Sequence, residues 1–149
     1  MNFDPTAIKR LSVAKEYLDL LKEKMGDHLL YAYIYGSTAK NCAREDSDVD
    51  LIIMVKKPTL EEKRFMNSKE GGLFSGDRQG TINFSFNSHY LFIILRALHK
   101  KHGVEISPYY FYEGISPDQN IPQTPFTLAS VLSGPHLRWP EDFQDIAYL

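Results

Sequence analysis

The chain has little of several features that often define a protein's class. A single cysteine, Cys42, among 149 residues excludes an intrachain disulfide and favours a reducing compartment. The longest apolar run, Tyr90 to Leu95, is far shorter than the roughly 20 residues that a bilayer crossing needs, and the N-terminus has no signal-peptide apolar segment. The formal charge of −2 argues against nucleic-acid binding by charge alone, although a local basic groove stays compatible with it. These absences predict a soluble, cytoplasmic protein without a membrane association.

The order of apolar patterns predicts one domain over residues 1–149, with its core in about 1–113 and an irregular, proline-rich tail in about 114–149. Apolar residues make up 43% and charged residues 24%, which is ordinary for a globular chain. Helical and strand periodicities alternate along the chain, so the fold class is α/β (α+β), with helices packed on a small mixed sheet. A glycine-rich loop is predicted at 68–80, and Pro108 predicts an edge strand or a strand that leaves the sheet at that point. The predicted helices are 5–25, 37–44, 59–67, 88–102 and 127–132, and the predicted strands are 28–35, 49–55, 81–86 and 104–112.

Two aspartates stand at the start of the strongly predicted strand VDLIIMV. Asp48 and Asp50 are two residues apart, so in an extended backbone both point to one face, with stems about 6 to 7 Å apart. That separation allows both carboxylates to bind one divalent ion, or to bridge two ions about 3.5 to 4 Å apart. Two ionised carboxylates beside an apolar strand repel each other and lose hydration. The pair therefore predicts a site for Mg²⁺, although solvated aspartates at a strand entrance are the alternative.

A Gly-Ser pair precedes these aspartates, where the first predicted strand turns into a helix. Gly36 allows close approach of the backbone to a ligand, and N–H groups that open a helix can cradle a phosphate. The Ser37 hydroxyl can donate to a phosphate oxygen, or it can simply cap the helix. A phosphate cradle beside a carboxylate pair predicts a site that binds a metal–nucleotide complex.

The segment YGSTAKNCAREDSDVDLIIMV resembles the signature of the DNA polymerase β-like nucleotidyltransferase superfamily, in which Gly-Ser is followed by Ser-Asp-x-Asp-Leu at this spacing. It is most similar to the short members called minimal nucleotidyltransferases. Ser47, Asp48, Asp50 and Leu51 fall on the pattern. Asn41 stands where the family often has glycine, and asparagine is the next most tolerant residue of a left-handed backbone.

The resemblance implies the nucleotidyltransferase fold, with the active site at the turn from the first strand into its helix. It also implies transfer of a nucleoside monophosphate, AMP from ATP, to a hydroxyl. Gly36 and Ser37 would then hold the nucleotide, and Asp48 and Asp50 would hold Mg²⁺, with Mn²⁺ and other nucleoside triphosphates as alternatives. Catalytic members usually carry a third carboxylate on a later strand, which serves as a metal ligand or base. Glu105 is the preferred candidate for that role, ahead of Asp77 and Glu113, which lie in or near loops.

The resemblance also implies a partner protein. Minimal nucleotidyltransferases often pair with a small helical protein, and the short tail is too small to form an acceptor domain. The aromatic run Tyr109 to Tyr112 on the predicted edge strand is a candidate docking surface. Two rival functions remain: a non-catalytic, antitoxin-like nucleotide-binding module, and an adenylyltransferase for small molecules of the aminoglycoside type. The sequence fixes neither the acceptor, the base, the identity of the third carboxylate nor the oligomeric state.

Overall fold

The computed structural model describes residues 2–56, 75–76, 82–83, 88–112 and 128–146. Helix α1 spans Pro5–Met25, as predicted. Its first residue is a proline, which lacks only an N–H that has no partner inside a helix. The helix ends where Gly26 takes a positive φ of 58° and donates its N–H to the carbonyl of Lys22. Asp4 holds the N-cap position but its side chain makes no capping bond, and its N–H donates to Asn41 Oδ1 at 2.7 Å.

A four-stranded mixed sheet lies against this helix, which confirms the predicted fold class. Its strands are β1 (Leu29–Tyr35), β2 (Val49–Val55), β5 (Ile106–Tyr112) and β6 (Leu137–Trp139), in the order β5-β2-β1-β6. Strand β1 runs antiparallel to both β2 and β6, whereas β2 and β5 are parallel. Pro108 lies within β5, which is an edge strand of this sheet, as the sequence predicts.

The remaining described elements are short, apart from one helix. Helix α2 spans Gly36–Ala39, α3 spans Ser88–His102 and α4 spans Leu128–Ser133. Strands β3 (Ser75–Gly76) and β4 (Ile82–Asn83) pair in a separate two-stranded sheet. Strand β3 therefore lies inside the segment predicted as a loop, while the helix predicted at 59–67 lies outside the described residues.

Helix α2 ends earlier than the predicted limit at residue 44, for a local reason. Asn41 adopts a φ of 57°, which is left-handed and incompatible with a continuing helix. The expected tolerance of asparagine for this conformation is therefore met in the structure. The chain between Asn41 and β2 is free of helix, and it forms the loop that leads into the aspartate pair.

The two faces of the sheet differ in what covers them. Alternate residues of β2 and β1, among them Leu51, Ile53 and Ile34, are fully buried against α1 in the main core. The other face carries a smaller cluster in which Ile52 and Met54 pack with Val131 of α4. Three half-buried tyrosines of β1 flank that cluster: Tyr31, Tyr33 and Tyr35. Strand β1 is therefore covered fully on one face only, whereas the sequence predicted burial on both.

The segment predicted as an irregular tail contributes a strand to the main sheet. Strand β6 pairs with β1, where Trp139 stands opposite Ala32. Leu137 and Trp139 are buried in the main core, and so are Phe143 and Ile146, which lie in and after the 3₁₀ turn Asp142–Asp145. The prediction that the core stops near residue 113 needs correction, because pairing with β1 makes a strand of three residues whose apolar–polar–apolar alternation is too short to predict a strand by itself.

The helices of the described residues do not meet the requirements for crossing a bilayer. None of them has both the length and the apolar composition that a bilayer span requires.

Candidate active site

The two predicted aspartates meet where β2 begins. Asp50, the second residue of β2, stands opposite Tyr35 of β1 on one side and Ser107 of β5 on the other. Asp48 is exposed, one residue before the strand, and its Oδ2 accepts a hydrogen bond of 3.0 Å from Ser107 Oγ. Three neighbouring strands therefore converge on this pair of carboxylates.

Burial and charge make this arrangement unfavourable on its own. Asp50 is half-buried, and the loss of hydration raises the pKa of its carboxyl above the usual value. The negative charge of Asp48 raises that pKa further. The two carboxylates are thus close enough to repel each other, as the sequence predicted.

The Gly-Ser turn lies directly against Asp50. Gly36 has a φ of 71°, and a Cβ built on it would collide with Asp50 Oδ2 and stand 3.4 Å from Asp50 Cγ. Only glycine both tolerates this backbone and leaves the room that the carboxylate occupies. Ser37 follows in α2, where its carbonyl accepts the N–H of Cys42 at 2.9 Å. The structure therefore brings Gly36 against Asp50 and its neighbour Asp48, and Ser37 is the next residue of the turn.

Tyr35 is a site residue that the sequence analysis did not single out. It ends β1, next to Gly36 and opposite Asp50. Burial raises the pKa of its hydroxyl, and the negative charge of Asp50 raises it further. The hydroxyl is therefore protonated at neutral pH and can donate a hydrogen bond. Its position at the end of an apolar strand, immediately before Gly-Ser, was the signal available in the sequence.

Arg10 is a second residue that sequence reasoning missed. It lies on α1 with only 1% of its surface exposed. Its guanidinium donates to two carbonyls of the loop before Asp48, those of Glu45 at 2.8 Å and Ser47 at 3.0 Å. Helical periodicity was the available signal, since position 10 is three residues from buried Ala7 and four from buried Ala14.

Glu105 lies one residue before β5 and is exposed. Its backbone carbonyl accepts the N–H of Val49 at 2.8 Å, which ties it to the start of β2. Across the described ranges, no three His, Cys, Asp or Glu side chains are grouped as a metal site would need. The structure therefore places Glu105 beside the aspartate strand without joining its carboxylate to the pair. Asp77 and Glu113, the weaker candidates, lie outside the described residues.

The donor set formed by the two aspartates fits a hard divalent cation. Carboxylate oxygens are the ligands that Mg²⁺ prefers, and Mg²⁺ commonly takes only one or two carboxylates, completing its shell with water and substrate phosphates. A cation here would also offset the repulsion that raises the pKa of Asp50. Because Gly36 has no side chain, the Asp50 carboxylate can occupy the position that it has beside this turn.

Comparison with known families agrees with this geometry. The family model of polymerase β nucleotidyltransferases matches residues 15–93, more than half of the chain. The matched range contains the Gly36-Ser37 turn and both aspartates, and it ends before Glu105. The chain belongs to the polymerase β-like nucleotidyltransferase family, as its resemblance in sequence implied. No curated protein and no solved structure gives a significant match.

Proposed function

We propose that the protein is a Mg²⁺-dependent enzyme that transfers a nucleoside monophosphate, AMP from ATP, to a hydroxyl group of an acceptor. The observation that carries this proposal is the close approach of the Gly36 backbone to the carboxylate of Asp50, beside Asp48. A carboxylate pair alone serves many purposes. A carboxylate pair next to a tight Gly-Ser turn, in a chain of this family, supports nucleotide binding through a metal ion.

Each residue of the site has a distinct role in the proposal. Asp48 and Asp50 hold Mg²⁺, with Mn²⁺ as the alternative ion. When bound, the ion supplies a positive charge that stabilises negative charge on the phosphates and orients them. The backbone at Gly36 and the hydroxyl of Ser37 hold the terminal phosphates of the nucleotide. In this proposal Tyr35, the strand partner of Asp50, donates its protonated hydroxyl to an oxygen of the metal–nucleotide complex.

The proposed reaction is an in-line displacement at the α-phosphorus. The acceptor hydroxyl oxygen forms a bond to that phosphorus, the bond from the α-phosphorus to the bridging oxygen breaks, and pyrophosphate leaves with the bond's electron pair. The hydroxyl loses its proton to a base, a role we assign to Glu105. Exposure of Glu105 next to the start of β2 is consistent with this role once substrate is bound, because catalytic contacts often tighten only in the substrate complex.

We assign the acceptor hydroxyl to a partner protein, as expected of a minimal nucleotidyltransferase. The edge strand β5 supports this proposal, because among the described residues its backbone pairs in the main sheet with β2 alone. Tyr109 on β5 is 39% exposed, and exposed tyrosines are enriched at interfaces. Tyr110 is not available for docking, since its hydroxyl is hydrogen-bonded to that of Tyr17 and is buried.

The test uses ATP labelled at the α-phosphate, Mg²⁺ and lysate of the native host. Wild type should label a protein, and Asp48→Asn with Asp50→Asn should not. The matched control is Glu45→Gln with Asp46→Asn, which removes the same two charges from exposed positions of the adjoining loop and should label normally. Labelling that survives in the Asp48/Asp50 double variant would contradict the proposed site, and brisk transfer to a small alcohol without any protein recipient would favour the small-molecule rival.

One observation favours a second candidate, the non-catalytic nucleotide-binding module. A third carboxylate does not join the pair within the ranges described. Thermal melting separates the two functions, because ligand at about 100 times its Kd stabilises the native state by about 2.7 kcal/mol. A non-catalytic module would be stabilised by Mg·ATP, and the Asp48/Asp50 double variant would lose this stabilisation. The module would nevertheless label no protein in any lysate fraction.

A further inference from the structure

Arg10 is a buried cation, and among the described residues its polar contacts all go to backbone carbonyls. Besides its bonds to Glu45 and Ser47, Nη1 donates to the carbonyl of Thr6, one turn earlier in α1, at 3.1 Å. Within the described ranges, no carboxylate forms an ion pair with this guanidinium. Burying a charge without a counter-charge is expensive, so hydrogen bonds to several carbonyl dipoles must offset the lost hydration.

The two loop carbonyls bound by Arg10 lie immediately before the site. The carbonyl of Ser47 belongs to the peptide unit that joins Ser47 to Asp48, so a bond to it restrains the backbone of Asp48. On the other side of Asp48, the N–H of Val49 donates to the Glu105 carbonyl at 2.8 Å. The turn itself is closed by Ser47, whose N–H donates to the Arg44 carbonyl at 3.0 Å and whose Oγ accepts the Arg44 N–H at 2.9 Å. Asp48 is thus held from both sides along the chain.

The hydrogen bonds that restrain Asp48 oppose the electrostatic repulsion between the two aspartates. Asp48 and the half-buried Asp50 repel each other, so an unrestrained loop would relieve the repulsion by moving Asp48 away from Asp50. The planar guanidinium suits the opposing task, because its donors are fixed in a fork and reach two carbonyls at once. An ammonium carries the same charge but lacks that geometry.

We propose that Arg10 is a positioning residue that holds the 45–47 loop, and with it Asp48, in the geometry that receives the divalent cation. The inference rests on the proposed function only for the identity of what the pair binds. Arg10 touches neither the nucleotide nor the metal in this scheme. It stabilises the site before the ligand arrives, which lowers the ordering cost of binding.

The test compares wild type with Arg10→Met, which keeps the length of the side chain and removes the fork. Binding of Mn²⁺, followed by electron paramagnetic resonance, should weaken by about tenfold or more, the usual effect of losing a group that orients metal ligands. Hydrogen exchange of the peptide covering 44–49 should also become faster. The matched control is Leu21→Ala, a fully buried position on the same helix that lowers stability without touching the loop. A rescue arm uses Arg10→Ala with millimolar guanidinium ion, which should restore Mn²⁺ binding.

The outcomes separate this inference from the proposed function. Mn²⁺ affinity in Arg10→Met equal to that in Leu21→Ala would overturn the inference while leaving the metal site standing. If wild type itself binds no Mn²⁺, the proposed metal site is wrong, and hydrogen exchange over residues 44–49 then tests the role of Arg10. Exchange in Arg10→Met that is no faster than in Leu21→Ala would overturn the inference that Arg10 holds the loop. Should Arg10→Met fail to fold, Arg10→Lys keeps the buried charge without the fork and is judged by the same criteria.

Discussion

Replacing Gly36 with alanine tests whether its missing side chain serves the fold or the site. Gly36 and Gly103 have the same positive φ of 71°, but they differ in surroundings. A Cβ at Gly36 would meet the carboxylate of Asp50, whereas a Cβ at Gly103, at the end of α3, would meet nothing within 4 Å. Gly103→Ala is therefore a control that imposes the same backbone cost without the steric conflict.

Magnitudes separate the two effects. Placing alanine in the left-handed region costs about 1–2 kcal/mol, and each kcal/mol lowers the melting temperature of a domain of this size by about 2–4 °C. Both Gly36→Ala and Gly103→Ala should therefore lose about 1–2 kcal/mol of stability from the backbone alone. The additional stability cost at Gly36 should be small, because the atom in conflict is the end of the Asp50 side chain, which can rotate away. Its rotation would move a proposed metal ligand, so Mn²⁺ binding should weaken at least about tenfold in Gly36→Ala.

The assay combines thermal melting of the metal-free protein with Mn²⁺ titration of both variants. Gly103→Ala should bind Mn²⁺ like wild type, and adding Asp50→Ala to Gly36→Ala should remove whatever extra stability cost the conflict causes. Wild-type Mn²⁺ affinity in Gly36→Ala would refute the argument that this glycine protects the position of Asp50. Equal losses of affinity in both glycine variants would refute it as well, since a general effect of destabilisation would then suffice.

Two further predictions concern the carboxylates. The pKa of Asp50 is raised in the folded protein from the ordinary value of 3.8, so the native state holds this proton more tightly than the unfolded state does. The contribution of Asp50 to the free energy of unfolding is therefore greatest below its unfolded pKa and falls as pH rises through its folded pKa. Metal-free Asp50→Asn should therefore melt higher than wild type at neutral pH, with the difference shrinking toward about pH 4; a difference independent of pH, or one shared by the exposed-site control Asp27→Asn, would contradict this. Glu105→Gln should cut turnover by about a hundredfold, as general-base losses do, without changing ATP binding or melting temperature, and full turnover in that variant would assign the base elsewhere.

The strongest sequence patterns predicted the elements that carry the site. The apolar stripe of α1 and the seven-residue run of β2 have the predicted bounds, Pro5–Met25 and Val49–Val55. Both patterns are local, since burial of one helix face or of a central strand requires a continuous apolar sequence. The position of the aspartates followed from β2, and the closeness of Gly36 to Asp50 followed from pairing β1 with β2.

The features that were missed depend on distant partners. Arg10 has a charged side chain, which favours solvent in the absence of partners, and its burial depends on carbonyls of a loop far along the chain. Strand β6 contains Arg138 between two apolar residues in a proline-rich segment, and only β1 makes it a strand. Helix α2 was predicted too long because asparagine tolerates a left-handed backbone without requiring it, and in the structure Asn41 adopts it.

Because β6 pairs with β1, the main sheet can be completed only late in the synthesis of the described residues. During synthesis, α1, β1 and β2 emerge long before Leu137–Trp139, so β1 has an open edge until β6 reaches it. Open strand edges pair readily with other chains. The strand that leads into the Gly36 turn therefore keeps an open edge until Leu137–Trp139 have left the ribosome, and it is exposed to misassembly over that interval.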